Sequence, residues 1–294
     1  MIAGSVMGKL LTPSLALAAA ALVLIPAPKA VGDEVDLTTS DSGLITGTVG
    51  GTAFVTRSDT MPAGRGVFDP FLSLNKNGGI ERAYNTGNGL FLDAQVPASN
   101  TDLHMRDLAI ITDPAPGVTG SFYGFELNAN ETGNGNINRL LSIDNIRIYT
   151  SPTDNVASVG DTESALDSLG KLRFALNEGL KDANGNYIID NWIKIDSTLG
   201  STSGSGSSDM TVYIPTDAFG DADKDDLVYF YNLNGVHESA DAGTEANAGP
   251  EYWRAIQGTD VSTVPDGGNT LALMSSALVA LGFVAGRRKM MNNA

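Results

Sequence analysis

The sequence contains no cysteine. Disulfides, thiol nucleophiles, zinc–thiolate centres and iron–sulfur clusters are thereby excluded, and cysteine usage carries no information about redox compartment. Histidine is nearly as scarce. His104 and His237 stand far apart in the chain and form no metal-ligand pair, so a structural role is the simpler reading of each. Basic residues are few: 18 Lys and Arg against 34 Asp and Glu, a net charge of -16. Nucleic acid is not an expected partner, because a polyanion needs a basic footprint. The sequence also lacks a Gly-x-Ser-x-Gly elbow, a Walker loop and a His-Glu-x-x-His helix, which removes the common signatures of serine hydrolases, P-loop NTPases and zinc peptidases.

What is present is unevenly distributed. No Asp or Glu precedes Asp33. Residues 33–263 hold 33 of the 34 acids and 13 of the 18 bases, a net charge of -20. The first 32 residues read as a secretory signal. Lys9 precedes an apolar run of 11 residues, Leu15 to Ile25, long enough for the core of a signal and too short to cross a bilayer of ~30 Å. Pro26 and Pro28 then interrupt the helix. Ala30-Val31-Gly32 presents small residues for cleavage before Asp33, with cleavage after Ala30 as the rival. Met1 and Met7 are both plausible starts, Met7 giving the tighter basic segment. The expected partners at this end are the export machinery and signal peptidase.

The C-terminus has three parts. Val264-Pro265-Asp266-Gly267-Gly268 comes first, within a linker spanning 261–269. An uncharged, mostly apolar run of 17 residues follows, Thr270 to Gly286. As a helix it measures about 26 Å at ~1.5 Å per residue, the short end of what spans a membrane. The basic tail 287–294 closes the chain with Arg287-Arg288-Lys289. Arg and Lys stay on the cytoplasmic side, which leaves the acidic middle outside. Both ends thus place residues 33–263 on the same side of the membrane. Pro265 cannot continue a helix, and Gly267 and Gly268 are poor helix formers, so the chain just outside the membrane is expected to stay extended.

This layout resembles the PEP-CTERM sorting signal of Gram-negative bacteria in its Val-Pro-Asp-Gly-Gly variant, over residues 264–289. Asp266-Gly267 stand where the namesake motif has Glu-Pro. The resemblance implies processing by an exosortase, a transient inner-membrane anchor, and final residence at the cell surface or in an exopolysaccharide matrix. Gly66-Val67-Phe68-Asp69-Pro70-Phe71, Glu81-Arg82-Ala83-Tyr84-Asn85-Thr86, Ser203–Gly206 leading to Asp209-Met210, and Glu251-Tyr252-Trp253 look like one exported domain type found with this signal. That likeness implies a β-sandwich and brings no known activity with it.

The exported domain, 33–260, reads independently as all-β. Short runs of β-branched and aromatic residues alternate with Asn-Gly and related turn signals such as Asn77-Gly78-Gly79, Asn88-Gly89, Asn134-Gly135 and Asn184-Gly185. About eleven strands are expected, at 44–57, 67–74, 89–95, 103–111, 121–127, 140–149, 171–176, 187–196, 210–214, 227–231 and 252–256. With no intervening helices this predicts a jelly-roll-like β-sandwich. Residues 161–180 carry leucines at helical spacing, broken by Gly170 and Gly179, and predict a turn or short helix followed by a strand.

Three chemistries can be sought in this domain. Calcium is the candidate cofactor. Asp221, Asp223 and Asp225 place oxygens at alternate positions, as hard-cation loops do, but Asp226 and Asn232 occupy the positions where an EF-hand needs Gly and a bidentate Glu. A solvated acidic turn is the plainer reading there, as it is for Asp182–Asn186. Glycoside hydrolysis needs two carboxyls across the scissile bond. The Glu-x-Asp-x-x-Glu strand of jelly-roll glucanases is absent, and Glu81, Glu126, Glu178 and Glu251 lie in separate elements. An enzyme is therefore not expected. Trp192 and Trp253 would suit a sugar platform if exposed, and a core position is the plainer expectation. The sequence thus points to a structural or interaction protein of the matrix, with a carbohydrate-binding module for exopolysaccharide as the alternative.

Overall fold

The computed structural model describes residues 32–58, 68–76, 79–131, 139–199, 207–237 and 243–258. The expected signal core, the sorting motif Val264–Gly268, the apolar run 270–286 and Arg287 and Arg288 lie outside the described residues. Among the described residues no helix is long and apolar enough to cross a membrane.

The described chain is all-β, built as two sheets. The first contains β1 (Glu34–Asp36), β5 (Glu81–Tyr84), β8 (Leu140–Ser151), β9 (Lys171–Ala175), β10 (Trp192–Asp196) and β12 (Leu227–Asn234). Its order is β1-β10-β8-β12-β5. β9 shares with β10 the same edge of the long β8: Leu140–Ile143 pair with β10, and Arg147–Thr150 with β9. The second sheet contains β2 (Ser42–Thr46), β3 (Thr52–Arg57), β4 (Leu72–Leu74), β6 (Ile110–Thr112), β7 (Ser121–Asn128), β11 (Met210–Pro215) and β13 (Glu251–Ala255). Its order is β2-β3-β11-β7-β13-β4, with β6 on β7. The β1–β10 pairing is parallel and the other strand pairs are antiparallel.

Period-two alternation decides what each face of the first sheet does. Ile146, Ile148, Val228, Phe230 and Ala83 join one core with Val55, Phe125, Leu127, Val212 and Trp253 of the second sheet. Phe230 sits at its centre, with ring centroids 5.5 Å from Phe71, 5.1 Å from Phe125 and 4.8 Å from Trp253. The Trp253 indole N–H donates across the sheets to Asn232 Oδ1 at 2.9 Å. On the opposite face, Tyr84, Tyr149, Tyr229, Tyr231 and Leu233 form a second cluster with Val156, Val159, Leu166 and Leu169. These last four come from a short helix, Val156–Val159, and a 3₁₀ turn, Glu163–Ser168, with its flank. The leucine spacing of 161–180 is therefore resolved as a 3₁₀ turn followed by β9.

Several strand limits differ from expectation. The run 44–57 is a hairpin rather than one strand. Gly50 and Gly51 hold φ of +87° and +86° between β2 and β3, and a Cβ on Gly50 would lie 2.4 Å from the Arg173 carbonyl. Only 192–196 of 187–196 is a strand. Residues 89–95 form no strand beyond the Leu74–Ala94 bridge, and 103–111 is a 3₁₀ turn at Met105–Asp107 leading into β6. Thirteen strands are present among the described residues: β1 and β5, too short to show alternation, and the second arm of the hairpin are added to the eleven expected, and 89–95 is lost. Replacing Phe230 by Ala removes the ring that touches both sheets. A loss of about 3–5 kcal/mol is expected, read from the urea unfolding midpoint at unchanged slope.

Candidate functional site

The acidic loop after the 3₁₀ turn Thr216–Phe219 is folded onto basic side chains. Asp221 Oδ1 accepts from Lys171 Nζ at 2.8 Å and from Arg173 Nη1 at 2.5 Å, which holds its carboxyl well below the usual range. Asp225 Oδ1 accepts from Arg106 Nη1 at 2.5 Å. Asp223 Oδ1 accepts from the Asp225 backbone N–H at 3.0 Å. The structure thus sends Asp221 to β9 and Asp225 to the 105–107 turn. In the second acidic loop, Asp182 Oδ1 accepts from the backbone N–H of Asn184 and Asn186, and those bonds lower its pKa. Among the described residues, no group of three or more His, Asp or Glu is placed to hold a metal ion. Both tryptophans are buried. Trp192 stacks on His237 with centroids 3.9 Å apart, so neither offers an open platform.

Two assemblies do form. The first is where residues 154–169 lie on the tyrosine face of the first sheet. A buried phenol needs a hydrogen-bond partner, and each of these finds one in the cover. Tyr84 donates to the Gly160 carbonyl at 2.7 Å, Tyr149 to Asp167 at 2.9 Å, Tyr229 to Asp154 at 3.1 Å and Tyr231 to Glu163 at 2.5 Å. Burial and these acids raise all four phenol pKa values. Glu163 also accepts from Tyr187 at 3.2 Å and pairs with Arg82 at 3.3 Å and Lys181 at 3.1 Å. Arg147 pairs with Asp167 at 3.2 Å. Beside these groups lies an open cleft of about 530 Å³, lined by Arg82, Arg147, Asp161, Glu163, Asp167 and Lys181 among others. Three bases and three acids meet there, in a domain otherwise dominated by acids.

The second assembly is closed. Glu81 on β5, Glu131 just after β7 and Glu251 at the start of β13 are 0%, 7% and 1% exposed. Glu81 and Glu131 both lie close enough to act electrostatically on the Glu251 carboxyl. Burial is the largest influence on each. It lifts Glu81 to about 6 and Glu131 to about 7 and raises Glu251 well above the ordinary value. Of the four glutamates singled out in the sequence, the structure brings together Glu81 and Glu251. Glu126 instead pairs with Arg254 on the neighbouring strand, and Glu178 lies in the turn after β9. Glu131 carries no local signal, since it follows a strand end in Asn130-Glu131-Thr132 and only the fold reveals it. Glycoside hydrolysis needs a sugar between two carboxyls, and the enclosed Glu81–Glu251 pair admits none.

No protein-family model, no curated protein and no solved structure matches this chain.

Glu163 fastens the cover to the sheet. Glu163→Ala leaves two phenols and Arg82 short of an acceptor, with an expected loss of about 2–3 kcal/mol. Hydrogen exchange should show protection falling across 154–169 while that of β7 and β11 is retained.

Proposed function

We propose that this chain is an exported precursor whose mature part is a structural or interaction protein of the cell surface or exopolysaccharide matrix. A jelly-roll-like domain is bracketed by a cleaved signal and a sorting segment processed by an exosortase. The observation that carries the reading is the agreement of the two ends, each placing the acidic residues 33–263 outside the inner membrane. The boundaries of the folded domain support it. The first strand starts at Glu34, and the Asp33 backbone N–H is already bound to Asn191 Oδ1 at 2.8 Å, beside the expected cleavage before Asp33. Calcium at Asp221, Asp223 and Asp225 would have to displace Lys171, Arg173 and Arg106, and is left out of the reading.

The cleft beside Glu163 favours a second reading, a carbohydrate-binding module. Its carboxylates and cations are already paired, so an anionic ligand has to compete with Glu163 and Asp167. A neutral, hydroxyl-rich sugar needs only the remaining donors and acceptors. Affinity electrophoresis of the mature chain in gels containing neutral glucans decides between the two. Retardation lost on Ser164→Trp, which fills the cleft, selects the module. Equal mobility with and without glycan selects the structural role.

Sorting is tested in cells with and without a working exosortase. Pro265→Ala combined with Gly267→Ala is expected to leave membrane insertion intact and block processing, because it changes only the recognised segment. Arg287→Glu with Arg288→Glu is expected to weaken topology or retention. Wild-type chain that stays full-length in the inner membrane of both strains identifies a plain tail anchor instead.

A further inference from the structure

We propose that Glu251 is a shared-proton joint between the two sheets: its carboxylic acid, held between Glu81 and Glu131, clamps one end of the sandwich while protonated and loosens it when the proton leaves.

The three carboxyls arrive from both halves of the fold. Glu81 lies on β5 of the first sheet, directly opposite Asn234 of β12. Glu251 opens β13 of the second sheet, opposite Leu74 of β4. Glu131 follows β7, the other neighbour of β13. The donors available to them are unevenly shared. Glu81 Oε1 accepts from Asn234 Nδ2 at 2.8 Å, and the Lys76 backbone N–H also reaches Glu81. Both oxygens of Glu131 accept from the Asn247 backbone N–H, at 3.1 and 3.2 Å. Besides burial, the largest influences on Glu251 among the described residues are the two other carboxyls and its own backbone N–H. With all three ionised, both Glu251 oxygens and Glu81 Oε2 are buried acceptors without a hydrogen-bond donor. Two carboxylates cannot face each other in that state, and one proton between them removes the conflict.

The surrounding charges do not relieve it. Among the described residues, the charges that act most on the cluster are the three carboxyls' own and that of Asp93. The basic residues of the adjoining strands are directed elsewhere. Arg82 pairs with Glu163, Arg254 with Glu126, and Lys76 is exposed and contributes its backbone.

The sign of the pH effect follows. All three carboxyls hold their protons more tightly folded than unfolded. Their stabilisation is therefore complete below the ordinary glutamate value, about 4.5, and is lost as pH rises through 6 to 7 and above. An exported domain meets the pH of its surroundings, so the joint's physiological meaning rests on the export reading. Its existence does not.

The test is thermal unfolding of the mature chain from pH 5 to pH 8, for the wild type, Glu251→Gln and Glu81→Gln. Glutamine supplies an N–H donor at the same place and has no proton to lose. The wild-type midpoint is expected to fall by at least about 5 °C over this range. The Glu251→Gln midpoint should fall by less, the remaining fall belonging to Asp144 and Asp209, which burial also raises to about 7, and should exceed the wild type at pH 8, and Glu81→Gln should also flatten the profile. Parallel profiles, or a Glu251→Gln chain less stable than wild type at pH 8, overturn the proposal. So does a Glu251→Gln chain that fails to fold at pH 5, where the donor it supplies should suffice. A rise in the wild-type midpoint with millimolar calcium at pH 8, absent in Glu251→Gln, would identify a cation as the occupant and likewise overturn it. None of these outcomes bears on sorting, which is read in cells.

Discussion

The β8–β12 pair must be buried on both faces, and most of the architecture follows from that requirement. β8 is buried over nearly its whole length and so is β12. One face is met by the second sheet through Phe230, Phe125 and Trp253. The other is met by the segment 154–169. A strand pair covered on one side only would leave either isoleucines or tyrosines in water. Burying large side chains of this kind is worth roughly 1.5–3 kcal/mol each, so the two coverings are cooperative parts of one core rather than decorations on a sheet.

The polar cost of that burial sets the chemistry of the molecule. Phenols on the outer face are supplied with carboxylates and a carbonyl from the cover. Asn177, fully buried, satisfies the chain between β9 and β10. Its Nδ2 donates to the Asp144 and Asn191 carbonyls, and its Oδ1 accepts from the Asp190 and Asn191 backbone N–H. Asp144 accepts from Ser142 Oγ and the Val236 and His237 backbone N–H, yet burial still lifts it to about 7. Asp209, whose donor is the Ala129 N–H at 2.7 Å, behaves alike. A chain with few bases has few cations to place beside buried acids. Some of its acids therefore have to be satisfied by backbone N–H groups or by protons.

Much of the fold was legible. β7, β8, β11 and β13 lie within a residue or two of the runs expected from β-branched and aromatic alternation. Alternation failed where a strand was too short to show it, as at Glu34–Asp36, and where turn geometry overrode it, as at Gly50 and Gly51. Tyr187 to Asn191 read as strand because of their side chains, but their backbone groups bind Asn177 and neighbouring loops, and pairing with β8 begins only near Ile193. The sites were far less legible. Asp221, Asp223 and Asp225 have the spacing of a cation loop, but that spacing does not reveal that Lys171, Arg173 and Arg106 lie within reach.

The sequence by itself determined the class of the domain, its acidity, the exclusion of thiol chemistry and the layout of the two ends. These are local or additive properties, readable from alternation, charge and run length. The tertiary structure decided which acids meet one another and which meet bases. Glu81 and Glu251 are separated by most of the chain and sit on different sheets, and they influence each other because the fold brings the first residues of β5 and β13 close together. Sheet order and register settle such contacts, and both depend on long-range packing that no short stretch of sequence encodes.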